Sequence, residues 1–88
     1  MNSRYVQLTG QVVAQTFPGS GRAVRFLVSL ATDRGSLTCV FLGRRNVTSL
    51  RIGTWVSVRG ALAYPHGVPT IVDPDYTIIN EQHANASV

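Results

Sequence analysis

Eight arginines, one tryptophan and three tyrosines are the side chains of this 88-residue chain best suited to chemistry with a polyanion. Arginine makes bidentate hydrogen bonds to phosphate and stacks on flat rings, while an aromatic face stacks on a nucleobase for about 1–3 kcal/mol per base. All the basic residues are Arg, and three of the four acids, Asp73, Asp75 and Glu81, fall near the end. Residues 1–72 therefore carry eight Arg against Asp33 alone, a net +7, where the whole chain has +4. A body this basic attracts phosphate through its field. A genome rich in G and C would explain the choice of Arg over Lys but not the shortage of acids.

Strand alternation ranks the individual candidates. Trp55 alternates with Val56 and Val58, so it faces outward if those two are inside; the alternative is a place at a subunit interface or a barrel end. Phe41 is weaker, because either parity of its segment is apolar and a Phe there is more often core. Tyr5 and Tyr64 stand at strand ends, and Tyr64 is preferred to Tyr76, which follows a proline. Arg25 and Arg59 are the best-placed phosphate contacts, sharing outward faces with Leu27 and with Trp55 and Ser57 respectively. Arg44, Arg45 and Arg51 cluster on a long connection, and Arg22 and Arg34 occupy loops beside the second strand. A single Arg is ordinarily a solvated surface charge, so the cluster argues more than its members. Three to five phosphate contacts would give a log–log salt slope of roughly −2 to −3.5 on a single strand.

Signals for catalysis are poor. His66 and His83 lie in a turn and a tail, no Ser or Cys sits beside a plausible base, and no glycine-rich loop opens a helix. No enzyme activity, cofactor, metal or small-molecule substrate is expected. Cys39 is the single cysteine and lies in the apolar run Leu37-Thr38-Cys39-Val40-Phe41-Leu42, so it reads as a buried, inert thiol with no disulfide or metal partner. Asp73 and Asp75 flank Pro74, where a turn or bulge outweighs a cation site. No run of eighteen apolar residues could span a bilayer, and Met1–Tyr5 lacks the charged-then-apolar pattern of a signal peptide. A cytoplasmic location away from membranes is the expectation. Without a secretory signal, the glycosylation patterns Asn46-Val47-Thr48 and Asn85-Ala86-Ser87 carry no meaning.

These candidates must be held by a small β fold. Eighty-eight residues, 44% apolar and 14% charged, make one domain with a modest core. Five strand-like segments are separated by turn residues, and none has a helical period. The first, Tyr5–Ala14, alternates Val6, Leu8 and Val12 with Gln7, Thr9 and Gln11 and is interrupted by Gly10, as a bulge or tight bend would require. The second, Ala23–Thr32, puts Val24, Phe26, Val28 and Leu30 on one face. Asp33-Arg34-Gly35 turns the chain into the third, Ser36–Leu42. The longest connection, Gly43–Gly53, has room for one helical turn at most. Trp55–Ala63 is the fourth, and Thr70–Asn80 the fifth, broken at Asp73-Pro74-Asp75, where Pro74 demands an edge or a bulge. Strands bent by glycines around a small core, with the long link between third and fourth, predict an all-β, five-stranded Greek-key OB-fold barrel over residues 4–80, with a disordered tail at 81–88. An SH3-like barrel or an open sandwich competes with it.

Three stretches also resemble known proteins. Pro18–Thr32 (PGSGRAVRFLVSLAT), Cys39–Arg44 (CVFLGR) and Leu50–Leu62 (LRIGTWVSVRGAL) resemble the second-strand region, the end of the third strand and the fourth strand of bacterial single-stranded DNA-binding proteins and of primosomal replication protein B. His66–Tyr76 (HGVPTIVDPDY) is similar to the wedge domain of the helicase RecG. The resemblance covers about residues 5–79 and rests on motifs shared across bacterial OB domains. It implies a barrel that binds single-stranded DNA in replication, recombination or repair. The tail Glu81–Val88 lacks the acidic tip with a closing Phe through which single-stranded DNA-binding proteins recruit partners, and no helicase motor follows, so neither tail recruitment nor unwinding is expected.

The expected function is binding of a single strand, DNA foremost, by Arg contacts and limited stacking with little sequence preference; RNA stays open because no residue is assigned to a 2′-hydroxyl. Leu27, Val40 and Leu42 would face out of a monomer, so a homo-oligomer, a two-fold dimer by sheet pairing or a tetramer, is expected to bury them. The alternative is a protein-interaction module in a larger complex, with Trp55, Leu27 and Leu42 as its interface.

Overall fold

A computed structural model describes residues 4–16, 25–42 and 49–79. They form β1 (Arg4–Thr16), β2 (Arg25–Thr32), β3 (Gly35–Leu42), β4 (Trp55–Ala63), β5 (Thr70–Val72) and β6 (Asp75–Ile79), with one 3-10 turn at Pro65–Gly67. β1 runs antiparallel to β4 over Arg4–Gln11 and antiparallel to β2 over Gly10–Thr16. β2 and β3 form a hairpin from Arg25↔Leu42 to Thr32↔Gly35. β3 pairs with β5 in parallel, Thr38↔Thr70 to Val40↔Val72, and β5 meets the end of β4 at Leu62↔Ile71 and Ala63↔Thr70. The pairing order β1-β2-β3-β5-β4 closes through β1–β4. This is a closed, mixed, five-stranded Greek-key barrel of the OB type, as expected.

β5 and β6 together are the fifth strand. Between them Asp73 takes φ 47°, its N–H donates to the Val40 carbonyl (2.6 Å), and its Oδ1 accepts the Leu42 N–H (2.9 Å). Pro74 beside it is fully buried. The Asp-Pro pair is thus a corner that locks the strand to the end of β3. Past it β6 continues along β4, from Arg59↔Asp75 to Trp55↔Ile79, with its other edge unpaired among the described residues.

β1 can serve two partners only by bending where it changes from one to the other. Gly10 and Gln11 pair on both sides at once, with Val56 and Trp55 of β4 and with Thr32 and Ala31 of β2. A Cβ at Gly10 would lie 2.7 Å from the Ala31 carbonyl oxygen, so the close crossing of backbones requires glycine there. The bulge itself falls between Val12 and Ala14; the extra residue, Val13, is turned out to solvent. Gly10 carries the bend and Val13 the bulge, a division the alternation of β1 does not announce.

The core consists of Val12, Phe26, Val28, Leu30, Leu37, Cys39, Phe41, Leu50, Val56, Val58 and Ile71, with Val6, Leu8, Leu62 and Tyr76 packed against it. Each of the large members contributes about 1.5–3 kcal/mol by leaving water. Phe41 must be removed from the stacking candidates. It shares the inward parity of Leu37 and Cys39, is 1% exposed, and meets the Tyr76 ring edge-on with centroids 5.7 Å apart. A ring with both faces packed has none to offer a base. Cys39 is buried as expected, and burial pushes its thiol from 9.0 up to about 12, so it stays protonated at neutral pH.

Candidate nucleic-acid interface

The barrel wall presents two outer faces. On one, β1, β4 and β6 display Gln7, Thr9 and Gln11 opposite Arg59, Ser57 and Trp55, and these in turn opposite Asp75, Thr77 and Ile79. On the other, β2, β3 and β5 display a row across three strands, Leu27 opposite Val40 and Val40 beside Val72, with Arg25 opposite Leu42 at its end.

The first face runs into the β2–β3 turn, and between them lies an open groove of about 680 Å³ lined by Gln7, Thr9, Gln11, Asp33, Arg34 and Trp55, among others. Local sequence fixes each wall. The turn takes its positive φ at Gly35 (108°), and the Thr32 hydroxyl holds it by accepting the Arg34 N–H (3.0 Å) and donating to the Gly35 carbonyl (2.7 Å). Those two bonds set Asp33 and Arg34 at the groove's edge. The approach to Trp55 is clamped to β1: Val12 N–H donates to the Thr54 carbonyl (2.9 Å), and Gly53 N–H donates to the Val12 carbonyl (2.8 Å). Gln11 adds a bond from Nε2 to the Gly53 carbonyl (3.1 Å), and Gln7 Nε2 donates to Ser57 Oγ (3.2 Å). At the barrel end, the Gln15 amide donates to the Leu50 carbonyl. Trp55 thus stands on a braced backbone with 36% of its surface open.

Arg34 also borders a second, smaller hollow of about 130 Å³, where Arg4, Ser36 and Tyr64 surround a floor that includes Val6, Leu8, Leu37 and Leu62. Tyr64 precedes the Pro65–Gly67 turn and is 61% exposed. The order along the surface is therefore Trp55, the amides, Arg34, then Arg4 and Tyr64: an aromatic, hydrogen-bonding groups, guanidinium groups and a second aromatic. Stacking faces separated by guanidinium groups are the parts a single strand needs.

Of the residues singled out from the sequence, Trp55 and Tyr64 mark the two ends of this track, one in each hollow, and Arg34 borders both. Arg59 adjoins it, exposed, opposite Gln7 on one side and Asp75 on the other. Arg25 does not join Arg59. It sits at the far end of β2 from the turn, on the order of 20 Å along the strand, on the apolar face. Arg22, Arg44 and Arg45 lie outside the described residues, as does the tail 81–88. Gln7, Thr9, Gln11, Asp33 and Arg4 were not selected from the sequence. The alternation of β1 already groups its two glutamines and Thr9 outward; what was missing is the register that sets Gln11 beside Trp55, residues 44 apart.

No protein-family model matches the chain and no curated protein matches it, so the barrel and this track carry the functional reading.

Proposed function

We propose that this barrel binds single-stranded nucleic acid, DNA foremost, along the track from Trp55 past Arg34 to Tyr64, as a small accessory protein of replication, recombination or repair in the cytoplasm. The observation that supports this most is the groove in which Trp55 and Arg34 line one open space with the β1 amides. A base would stack on Trp55 and its phosphate would pair with Arg34, with Arg4 and Tyr64, at the other end of β4, holding a nucleotide several positions further along. Duplex DNA offers no free base faces and is expected to bind weakly.

Trp55 is the single tryptophan, so its fluorescence reports on the groove directly. Titration with a single-stranded oligonucleotide should quench it, the effect should weaken as salt rises, and a duplex of equal length should have little effect. An absence of both quenching and anisotropy change at low salt would overturn the proposal.

A second reading is favoured by the apolar row Leu27–Val40–Val72 with Leu42, of which Val72 is 53% and Leu42 45% exposed. A row of this kind on a small barrel suits burial against protein. We propose it as the contact of a homo-oligomer, with a different protein partner as the alternative occupant.

A further inference from the structure

One large aromatic on the β1–β4–β6 face lies outside both hollows. Tyr5 is 69% exposed and takes the outward parity of β1, in line with Gln7, Thr9 and Gln11, whereas Arg4, Val6 and Leu8, on the other parity, line the smaller hollow. Across the strands it pairs with Ala61, a side chain too short to cover a ring. At the opposite end of the same row Gln11 pairs with Trp55. Two open aromatics therefore stand about 20 Å apart, at the rise of an antiparallel strand, on one straight row of β1 and β4 positions. The positions between them are polar, with Gln7 opposite Arg59 and Thr9 opposite Ser57. Guanidinium groups flank the row on both sides: Arg34 of the β2–β3 turn borders the groove near Trp55, and Arg59 of β4 stands one pair from Tyr5. Asp75 lies beyond Arg59, on the side away from β1.

From this register we infer that Tyr5 is a second stacking site, and that a bound single strand lies along β1 from Trp55 to Tyr5 with its phosphates reached by Arg34 near one end and Arg59 near the other. Stacking on an exposed ring takes any base, so the two sites together fix a footprint rather than a sequence. At 3.4 Å per nucleotide of a stacked strand, the row corresponds to about six steps; a strand drawn out to about twice that spacing covers it in about three. A strand of about three nucleotides has only two steps and cannot reach Tyr5 from Trp55 at either spacing. The inference rests on the proposed single-strand binding and adds to it a second contact and a minimum length.

Oligo-dT strands of about ten and about three nucleotides test it, with quenching of Trp55 as the readout, because that signal reports only strands that occupy the Trp55 end. Tyr5→Ala should weaken the longer strand about fivefold, the low end for one stacked base, and should leave no such loss for the shorter one. Tyr5→Phe keeps the ring and should restore the longer strand's affinity. Arg59→Gln should make the log–log salt slope of the longer strand shallower by about 0.7, the share of one phosphate contact. Native affinity of Tyr5→Ala for the longer strand, an equal loss for both lengths, or a Tyr5→Phe variant as weak as Tyr5→Ala overturns the second stacking site while leaving single-strand binding in place. Failure of both strands to quench Trp55 or change anisotropy at low salt removes the two proposals together.

Discussion

The two outer faces of the barrel rest on the same core yet differ in almost every property that governs recognition. Behind both are the inward residues of the same strands, and the faces diverge only at the alternate positions. The β1–β4–β6 face carries amides, hydroxyls, one Trp and a facing Arg59–Asp75 pair, and opens into a groove; the β2–β3–β5 face carries Leu27, Val40, Leu42 and Val72 around Ser29 and Thr38. A face rich in exposed hydrogen-bonding groups loses little by staying wet until a polar ligand arrives. An apolar row gains only by excluding water. In a barrel this small, recognition can therefore be divided between its two sides, with strands on one and protein on the other, and changes to either need not disturb the core between them.

The largest effect should come from the residue that supports both faces at once. Phe41→Ala removes a ring that is fully packed against Tyr76 and the core, and should lower unfolding stability by about 3–5 kcal/mol, read as a shifted urea midpoint. If the loss were confined to nucleic-acid affinity with the midpoint unchanged, Phe41 would belong to a face rather than to the core. Next comes the strand that joins the two faces. Gly10→Ala presses a Cβ to 2.7 Å from the Ala31 carbonyl oxygen, a backbone atom that cannot rotate away, so a cost of about 2–3 kcal/mol is expected, the upper part of the range for overpacking. Val13→Ala, at the exposed bulge three residues on, should change stability by about 0.5 kcal/mol or less.

Much of this was readable before any coordinates. β4 begins and ends at Trp55 and Ala63 as the alternation of Val56 and Val58 with polar neighbours requires, and the turn at Gly35 and the break at Pro74 fall where a positive φ and a missing N–H place them. Closure into a barrel followed from long strands with internal glycines. Legibility failed where two segments had to be brought together. Whether Gly10 or its neighbourhood held the bulge depends on how β1 registers against β2. The groove depends on Gln11 meeting Trp55 and on the Asp33-Arg34 turn leaning over both. Phe41 was ambiguous for a related reason: both parities of β3 are apolar, because its outward side forms part of the apolar row, so alternation alone could not tell inside from outside. Arg25 and Arg59 looked equivalent in sequence since each shares a strand's outward side, yet those sides belong to opposite faces.

The sharpest test of the division between faces is also the one with the smallest effects. Trp55→Ala should weaken single-strand binding roughly fivefold, near 1 kcal/mol and at the low end for a stacked base because the groove is open on one side, while leaving the molecular mass in solution unchanged. Val72→Ser should do the reverse, shifting an oligomer toward monomer in sedimentation while single-strand affinity stays within about twofold, since an exposed side chain away from the groove contributes little to it. Crossed outcomes decide between the alternatives. If Trp55→Ala dissociates an oligomer and Val72→Ser weakens the strand, the assignments of the two faces must be exchanged. If either substitution does both, binding and assembly share one surface, and the strand is then held between copies of the barrel rather than along the side of one.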